Sequence, residues 1–479
     1  MNYENLGLKI GLEIHQRLET HKLFCKCPSV LRDDTPGIIV KRKLRAVAGE
    51  TGEIDIAARH EMEKNLEFIY EAYPDTTCNV ELDEEPPGPL NMDALGVALQ
   101  VSKLLNAKTV DELHFMRKTV VDGSNTTGFQ RTALVAQDGY INTSLGNVRI
   151  GFICLEEEAA KNVKEETTSR VWRLDRLGIP LIEIQTQADI KTPEHAKEVA
   201  QLLGMILRST GKAMRGIGTI RQDINLSIRG GARVEIKGFQ DLRIVPKVII
   251  KEIERQQSLI EQGFEVKSEV RKAEPDGTTS FMRPMPGSAR MYPETDVLPT
   301  KITKEWLDRI EMPELLTEKA VKLEKKFDIN PDLAREVVQE DVNLELYAKN
   351  YSNIRPSTIA QILIETPKEI KSRLKLDSEK IRKEDYEEVL KNLNHGKISK
   401  EAVIDLLAEA AQGKKMGFDK YKTIPSDELE KEVKKIIEAN KGASVNALMG
   451  EVMKKYRGAV DGKKVFELLQ KHTKRSSCL

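Results

Sequence analysis

Acidic residues and one histidine occupy alternating positions in segments that are otherwise apolar. In IGLEIHQRL, Glu13 and His15 alternate with isoleucine and leucine, so a strand would place both polar side chains on one face. In GIPLIEIQT, Glu183 is the single charge of an apolar run. A lone buried carboxylate is costly unless a cation or donor meets it. These segments are therefore candidates for a site that binds a cation.

A third acidic segment, ICLEEEAA, places Glu156, Glu157 and Glu158 after an apolar entry. Each of the three segments also has a purely structural interpretation. The first could be a surface strand, the glutamates could form the acidic first turn of a helix, and Glu183 could pair with Arg173 or Arg176. The residues alone leave these alternatives open.

The segment GTIRQDINLSIRGGARVEIKGFQD predicts a hairpin with one polar face. The residues of that face are Arg221, Asp223, Asn225, Glu235 and Lys237. A three-residue turn from Gly230 to Ala232 would pair Ser227 with Glu235 and keep the face polar throughout. Such a face suits phosphates and metal ions, although a solvated sheet face gives the same pattern.

The loop MRKTVVDGSNTTGFQRT is rich in Gly, Ser, Thr and Asn, and such loops can bind phosphate through backbone N–H groups. The sequence matches neither a Walker A nor a Rossmann glycine pattern, and it shows no Ser-His-Asp, Cys-His or Ser-Lys nucleophile arrangement. Oxygen ligands suit Mg²⁺, and arginine and lysine suit phosphate. Residue types and spacing alone predict a magnesium-dependent phosphoryl-transfer enzyme.

Cysteine usage gives little support for a metal or disulfide framework. Cys25, Cys27 and the distant Cys78 suggest zinc, but a fourth ligand is not obvious and Asp75 is the one candidate nearby. A structural zinc ion is therefore not expected. The five cysteines are sparse and unevenly placed, which indicates a reducing cytoplasm.

Composition and patterning predict a soluble protein with an α+β body and helical appendages. The chain is 39% hydrophobic and 32% charged, with a net charge of zero. No apolar run approaches the roughly 18 residues that span a bilayer, and MNYENLGLKI is not a signal peptide, so a cytoplasmic protein without a membrane is expected. Strand signals vanish near residue 301. We expect an α+β domain over 1–300, an all-α domain over 301–415 and a small all-α tail over 416–479.

Five segments resemble the GatB/GatE family, the kinase-transamidase subunits of tRNA-dependent amidotransferases. They are GLEIHQRLET, CLEEEAA, DRLGIPLIEI, GTIRQDINLSIRGGARVEIKGFQDL and MYPETDVLP. They run in order through nearly the whole chain, and EIHQ and RKTVVDGSNTTGFQRT look more like the archaeal E type than the bacterial B type. The resemblance implies a first domain that is an antiparallel-sheet cradle related to glutamine synthetase, followed by helical and tail domains that hold tRNA.

The resemblance also implies an activity. ATP would activate the side-chain carboxylate of glutamate mischarged onto tRNA(Gln), and ammonia would displace phosphate to give Gln-tRNA(Gln). The ammonia would come from an asparaginase-type D subunit in a heterotetramer, and ATP and Mg²⁺ would be the cofactors. Three alternatives stay open: a bacterial-type B subunit of an Asp/Glu-tRNA amidotransferase, a non-catalytic tRNA-binding protein, and an unrelated magnesium-dependent ligase that would act without tRNA.

The residues that the resemblance assigns fall into three sets. The divalent metal would be held by Glu13, His15, Glu157 and Glu183, with Glu156 close by in the catalytic set. The nucleotide or acyl-phosphate pocket would be lined by Lys118, Ser124, Asn125, Arg221, Asp223, Asn225 and Arg290. The tRNA would contact Lys454, Lys455 and Arg457, in a tail where basic residues outnumber acidic ones and suit phosphate contacts.

The chain departs from the archaeal E type in two ways. That type carries an inserted domain, similar to part of an aspartyl-tRNA synthetase, where this sequence passes from EQGFEVKSEVRKAEPDG directly to TTSFMRPMPG. The resemblance therefore implies that the insert is missing. The second departure is Glu158, where the family usually has aspartate.

Overall fold

The computed structural model describes residues 1–48, 52–239, 241–285, 291–421, 426–440, 442–456, 460 and 462–473. The chain forms two compact units, Met1–Leu315 and Leu316–Leu479. In the described part of the chain, no helix combines the length and apolar character that crossing a membrane requires.

The first unit contains all the strands of the described residues. In chain order they are β1 (Lys9–Arg17), β2 (Ile38–Arg42), β3 (Glu67–Ala72), β4 (Lys108–Thr109), β5 (Glu112–Leu113), β6 (Phe115–Thr119), β7 (Phe129–Thr143), β8 (Gly146–Glu157), β9 (Lys161–Glu165), β10 (Ser169–Arg173), β11 (Pro180–Thr186), β12 (Ile220–Ser227), β13 (Val234–Phe239), β14 (Glu269–Ala273), β15 (Thr279–Pro284), β16 (Met291–Pro293) and β17 (Thr300–Lys301). Its helices are α1 (Ile56–Glu63), α2 (Met92–Leu104), α3 (Pro193–Ser209), α4 (Val245–Glu261) and α5 (Lys304–Arg309).

An eleven-stranded sheet dominates this unit. Its order is β15, β14, β13, β12, β1, β11, β8, β7, β6, β16, and β4 also pairs with β7. All these pairings are antiparallel except β13 with β14, which α4 connects. A smaller sheet has the order β2, β3, β10, β9, and β17 pairs with β5. The mixed, largely antiparallel architecture confirms the α+β class.

The two faces of the large sheet differ because side chains alternate along each strand. In β1, Ile10, Leu12 and Ile14 are at most 1% exposed. They join apolar residues of β11 and β12 and the apolar sides of α2, α3 and α4 in one core. These helices cover the apolar face, so the charged side chains of the strands are confined to the opposite face.

The large sheet must curve around its polar face. Nine strand-to-strand steps separate β15 from β16, which would be about 43 Å in a flat sheet. Only seven residue-to-residue steps separate Pro284 from Met291, and a chain of that length reaches about 25 Å at most. Consistent with this curvature, Lys118 of β6 and Arg283 of β15 line the same cavity.

The hairpin of β12 and β13 is present, but its predicted register is wrong. Asn225 pairs with Glu235 and Leu226 with Val234, so the connection is longer than three residues. The reason is that Ser227 stays paired with Lys9 of β1, and the N–H of Arg229 donates to the Leu6 carbonyl. The shift is two residues, so the polar and apolar faces keep their composition.

The second unit is helical. Its α-helices are α6 (Leu316–Phe327), α7 (Pro331–Gln339), α8 (Leu344–Asn350), α9 (Pro356–Ala360), α10 (Thr366–Arg373), α11 (Lys383–Asn394), α12 (Ala402–Ala411), α13 (Ser426–Ala439), α14 (Val445–Tyr456) and α15 (Gly462–Thr473). Asn330 caps α7 by accepting the Asp332 N–H, and Pro331 lies in its first turn. The last three helices share an apolar cluster of their own. The domain boundaries at 300/301 and 415/416 stay predictions.

Candidate active site

The central strands of the large sheet bring the predicted polar residues together. Glu13 lies opposite Asp223, and His15 lies opposite Glu183 on one side and Arg221 on the other. These residues point to the polar face, where they line a cavity of about 520 Å³. The residues of the predicted site that line it are Glu13, His15, Lys118, Ser124, Asn125, Glu156, Glu183, Arg221 and Asp223.

The acidic residues form two overlapping groups that could hold a divalent cation. The ligand atoms of Glu13, His15 and Asp223 lie within 4.8 Å of one another, and so do those of His15, Glu156 and Glu183. His15 Nε2 is 3.4 Å from a Glu13 oxygen and 3.9 Å from a Glu183 oxygen. Carboxylates with one imidazole suit Mg²⁺ or Mn²⁺. The donor set therefore fits the metal that the family resemblance implies.

Two lysines lie among these carboxylates. Lys118 Nζ is 2.6 Å from Glu156 Oε1 and 3.5 Å from Glu183 Oε2. Lys237 Nζ is 2.5 Å from Asp223 Oδ2 and 2.5 Å from a Glu235 oxygen. The ammonium groups stabilise carboxylates that would otherwise repel one another. Glu183 thus meets a cation, and its alternative partners are engaged elsewhere: Arg173 with Glu71, and Arg176 with backbone carbonyls.

Burial and neighbouring charges shift the pKa values of the central pair, Glu13 and His15, in opposite directions. Burial, together with the charges of Glu183 and Asp223, raises the pKa of Glu13 to about 8, although Lys237 opposes the shift. Burial lowers the pKa of His15 to about 4. The imidazole is therefore neutral at physiological pH, which is the form that donates a lone pair to a metal.

The three consecutive glutamates do not form a helix turn. Glu156 and Glu157 end β8 and Glu158 follows it. Glu158 is fully buried, and its oxygens lie 3.0 Å from Arg17 Nε and 2.9 Å from an Arg221 nitrogen. Burial alone would raise the pKa of Glu158, but the surrounding arginines lower it below its usual value. Glu158 thus holds Arg221 at the wall of the cavity.

Alternation separates Glu156 from Glu157. Glu156 lies opposite Leu181 on the polar face, whereas Glu157 lies opposite Pro180 and points the other way. There Glu157 contacts Arg131 at 3.4 Å. The structure therefore places Glu156, and not Glu157, beside His15 and Glu183 in the candidate metal-binding groups.

Two other predicted residues are not found at the cavity. Asn225 lies on the polar face beside Gly11, but it lines a separate cavity of about 250 Å³. Arg290 falls outside the described residues. Ser124 and Asn125 are at the cavity, where the Ser124 hydroxyl donates to Asp122 at 2.6 Å. Asn125 Oδ1 is buried without a hydrogen-bond partner among the described residues, so it is available to a ligand.

The predicted site omitted several residues that line the cavity. They include Asp122, Gln130, Arg176, Glu235, Lys237 and Arg283. Alternation along the hairpin already put Glu235 and Lys237 on the correct face. Nothing local to the sequence indicates Arg176 or Arg283, since only the curvature of the sheet brings them to the cavity.

A second candidate metal-binding cluster lies outside this cavity. The ligand atoms of Cys25, Cys27, Cys78 and Glu81 all lie within 4.8 Å of one another. Glu81 is the fourth ligand that the sequence prediction missed, while Asp75 pairs with Arg32. The signal was the spacing of Cys78 and Glu81, which is a C-x-x-C pattern with glutamate in the last position.

A larger cavity, of about 870 Å³, lies elsewhere, in the helical unit. Tyr347, Tyr351 and Tyr386 line it together with acidic and basic residues. Among the described residues, no candidate metal-binding group lies there. We therefore assign the chemistry to the smaller cavity on the sheet.

Comparison with known proteins identifies the family of the chain. A family model described as the GatB/GatE catalytic domain matches residues 8–308, and one described as the GatB domain matches residues 343–472. The chain belongs to the GatB/GatE family.

Three relatives of the chain are subunits of the same type. The E subunit of glutamyl-tRNA(Gln) amidotransferase from Methanocaldococcus jannaschii is 38% identical to the chain, with 99% of each protein covered. The E subunits from Methanosarcina barkeri and Archaeoglobus fulgidus are each 37% identical, with 98% and 99% covered. The 627 aligned positions of the first comparison exceed the 479 residues of this chain by 148. That excess agrees with a missing inserted domain.

Proposed function

We propose that this chain is the kinase-transamidase subunit of an archaeal-type tRNA-dependent amidotransferase. It would use ATP to activate the side-chain carboxylate of glutamate on tRNA(Gln), and it would then amidate that group with ammonia, which makes it a carbon–nitrogen ligase. The carboxylate and histidine groups of the sheet cavity carry this proposal, because they suit Mg²⁺ beside a phosphate-binding wall. We expect the protein in the cytoplasm, where translation takes place.

Each side of the cavity has a role in this proposal. The Mg²⁺ held by Glu13, His15, Glu156 and Glu183 would neutralise charge on the transferring phosphoryl group. Lys118 would leave its ion pair with Glu156 and contact the glutamyl carboxylate or the phosphate attached to that carboxylate. Arg221, Ser124 and Asn125 would orient the phosphates. An acyl phosphate hydrolyses readily in water, so the curved sheet, the cradle that the family resemblance implies, would shield it.

The ammonia must come from elsewhere. The cavity has carboxylates and cations, and its described lining contains no cysteine and one serine, Ser124, whose hydroxyl donates to Asp122 and not to a histidine. This supports a partner that releases ammonia, which the resemblance identifies as an asparaginase-type D subunit in a heterotetramer. The non-catalytic alternative is disfavoured because the cavity keeps Glu13, His15, Glu156 and Glu183 together. The bacterial B type is disfavoured because the relatives compared above are E subunits.

A direct assay tests this proposal. The purified chain is mixed with ATP, Mg²⁺, ammonium chloride and Glu-tRNA(Gln) carrying labelled glutamate, and the amino acid on the tRNA is then analysed. We expect glutamine only when ATP and the charged tRNA are both present, and none from free glutamate. If ammonium alone gives no product, the assay is repeated with the D subunit and glutamine as ammonia donor. Failure there as well would contradict the proposed activity.

The inserted domain of relatives would enter at the turn between β14 and β15. The N–H of Gly277 donates to the Glu274 carbonyl at 2.9 Å, and Gly277 has φ of +90°. A tight exposed hairpin turn is a place where a domain can be added or lost with little effect on the sheet. Loss there would leave the cavity intact and remove only contacts that the insert makes.

The tail should contribute phosphate contacts. Lys454 and Lys455 are exposed in the last turn of α14, and Lys455 also pairs with Glu432 at 3.0 Å, while Arg457 falls outside the described residues. Replacing both lysines with glutamine should weaken tRNA binding and reduce the slope of log affinity against log salt by about 1–2. The matched control Lys251→Gln, on α4, should leave both the tRNA affinity and its salt dependence unchanged. An unaltered slope in the double variant would show that the tail is not part of the tRNA interface.

The cysteine cluster is proposed as a structural zinc site. It joins the segment after β1 to the segment after β3, so an ion there would tie together two parts of the chain that are far apart in sequence. We expect one equivalent of zinc in the purified protein, and we expect Cys78→Ser to lose the zinc and lower the unfolding temperature. A metal-free protein whose unfolding temperature is unaffected by chelator or by the substitution would contradict this assignment.

A further inference from the structure

One arginine in the sheet cavity differs from the other basic residues around it. The described residues place five cations on the wall: Lys118, Arg176, Arg221, Lys237 and Arg283. Four of these side chains contact carboxylates or backbone carbonyls. The Arg283 side chain has no hydrogen bond or ion pair within the part of the chain that the structure describes. A half-buried guanidinium carries five N–H donors, so it is poised for a ligand.

Three acids that share a small cavity with Arg283 are already engaged. Arg283 also borders a small cavity of about 100 Å³, where Asp55, Glu61 and Asp122 lie. Asp55 caps α1 by accepting two backbone N–H groups. Glu61 pairs with Lys64 at 2.6 Å and Arg170 at 3.3 Å. Asp122 accepts from the backbone N–H and the hydroxyl of Ser124. The protein therefore offers Arg283 no free carboxylate among these neighbours.

The position of Arg283 indicates what kind of ligand it meets. It extends from β15, at the opposite edge of the curved sheet from Lys118 of β6, and the acidic groups lie on the strands between them. A ligand that spans the cavity would place a metal-bound part on the carboxylates and an anionic part at Arg283. A chain of phosphates meets both requirements, because it binds Mg²⁺ and accepts two parallel hydrogen bonds from guanidinium.

We propose that Arg283 binds a phosphate group of the nucleotide. The inference rests on the proposed function and adds a residue to which neither the motifs nor the resemblance gave a role. A backbone phosphate of the tRNA acceptor end has the same chemistry, so the test must separate the two sources. The nucleotide is favoured because Arg283 and the metal-binding groups share one cavity of about 520 Å³.

The test compares two binding measurements on three variants of the full chain. Binding of Mg²⁺-ATP is followed by calorimetry without tRNA, and binding of Glu-tRNA(Gln) is followed by filter retention without ATP. For Arg283→Gln we expect ATP to bind about 10- to 100-fold more weakly, the usual effect of losing charge-assisted hydrogen bonds, with tRNA binding unchanged. The ATP affinity of Arg283→Lys should fall between those of the wild type and Arg283→Gln, because lysine keeps the positive charge but lacks the two parallel N–H donors of the guanidinium group.

The matched control is Arg233→Gln. Arg233 is an exposed arginine immediately before β13 that lines the neighbouring cavity, so the substitution removes the same charge without reaching the site. We expect both affinities to match the wild type. All variants should unfold at the wild-type temperature, because the Arg283 side chain makes no hydrogen bond or ion pair to the described protein.

The outcomes separate this inference from the proposed function. Wild-type ATP affinity in Arg283→Gln would overturn the role of Arg283 and leave the proposed enzyme standing. A loss confined to tRNA binding would also overturn it, since the phosphate would then belong to the RNA. If the wild-type chain bound no nucleotide, both the inference and the proposed function would fail. Weaker ATP binding in Arg283→Gln alone, with the control unchanged, supports the proposal.

Discussion

Glu156→Gln should abolish most of the ATP-dependent activity. The substitution removes a charge from the group formed with His15 and Glu183 and takes away the closest partner of Lys118, at 2.6 Å. Losing a ligand that helps a metal to stabilise the transition state costs about 3–4 kcal/mol, which corresponds to about 100- to 1,000-fold in rate. The measurements are glutamine formation on tRNA and Mn²⁺ binding by calorimetry, and both should fall.

The matched control is the next residue, Glu157→Gln. Its side chain lies on the opposite face against Arg131, so metal binding should be unchanged. Arg131 keeps Glu294 as a partner at 2.7 Å. Glu157→Gln should therefore lower only the free energy of unfolding, by about 1–3 kcal/mol. If Glu157→Gln lost the metal while Glu156→Gln kept it, the faces assigned to Glu156 and Glu157 on β8 would be wrong. Glu157 would then be the metal ligand, as the family resemblance implies.

Glu294→Ala should be the most destabilising single change to the first unit. The fully buried carboxylate accepts hydrogen bonds from Arg117 at 2.6 Å and Arg131 at 2.7 Å. It thereby links β6 and β7 to the segment after β16. Removing it leaves two partly buried arginines without their shared partner, a loss of about 3–5 kcal/mol. Denaturant unfolding of the variant and the wild type measures it.

Asp296→Ala provides the control for this prediction. Asp296 pairs with the same Arg117 at 2.9 Å, but its side chain is 51% exposed, and exposed pairs contribute about 0–1 kcal/mol. A large effect at Asp296 and a small one at Glu294 would show that burial does not set the strength of this network.

The contribution of Glu294 should also depend on pH. Burial alone would raise the pKa of Glu294, but hydrogen bonds from Arg117 and a backbone N–H, together with Arg131, lower it below its usual value. The unfolded pKa is about 4.3. A carboxyl group whose folded pKa is lower stabilises the protein fully above that pH, and the stabilisation is lost as the pH falls through the folded pKa. The stability difference between wild type and Glu294→Ala should therefore shrink below about pH 4.

Local alternation was enough to predict the faces of β1, β11 and β12. Glu13, His15, Glu183 and Asp223 sit in segments where each polar residue has apolar neighbours, so a strand fixes which face they share. The same rule fails for three consecutive glutamates. Only the pairing of Glu156 with Leu181 of β11 decides that Glu156, and not Glu157, faces the cavity, and that pairing depends on contacts distant in sequence.

The remaining errors have the same origin. The hairpin register was wrong because Ser227 is held by β1, a strand more than two hundred positions earlier in the chain. Arg283 was given no role and Arg176 was missed because curvature, and not sequence spacing, brings them to the cavity. Glu81 was missed because glutamate is a less familiar partner in a cysteine cluster than a fourth cysteine.

The central place of β1 has a consequence for synthesis of the protein. Glu13 pairs with Asp223, 210 residues later, so β1 leaves the ribosome long before its neighbours β11 and β12 exist. At about 5–20 residues per second, the wait is roughly 10–40 s. During that time an apolar strand without partners invites aggregation. Lys9, Glu13, His15 and Arg17 place a polar residue at nearly every second position of β1, so the side chains that later build the active site also protect the nascent chain.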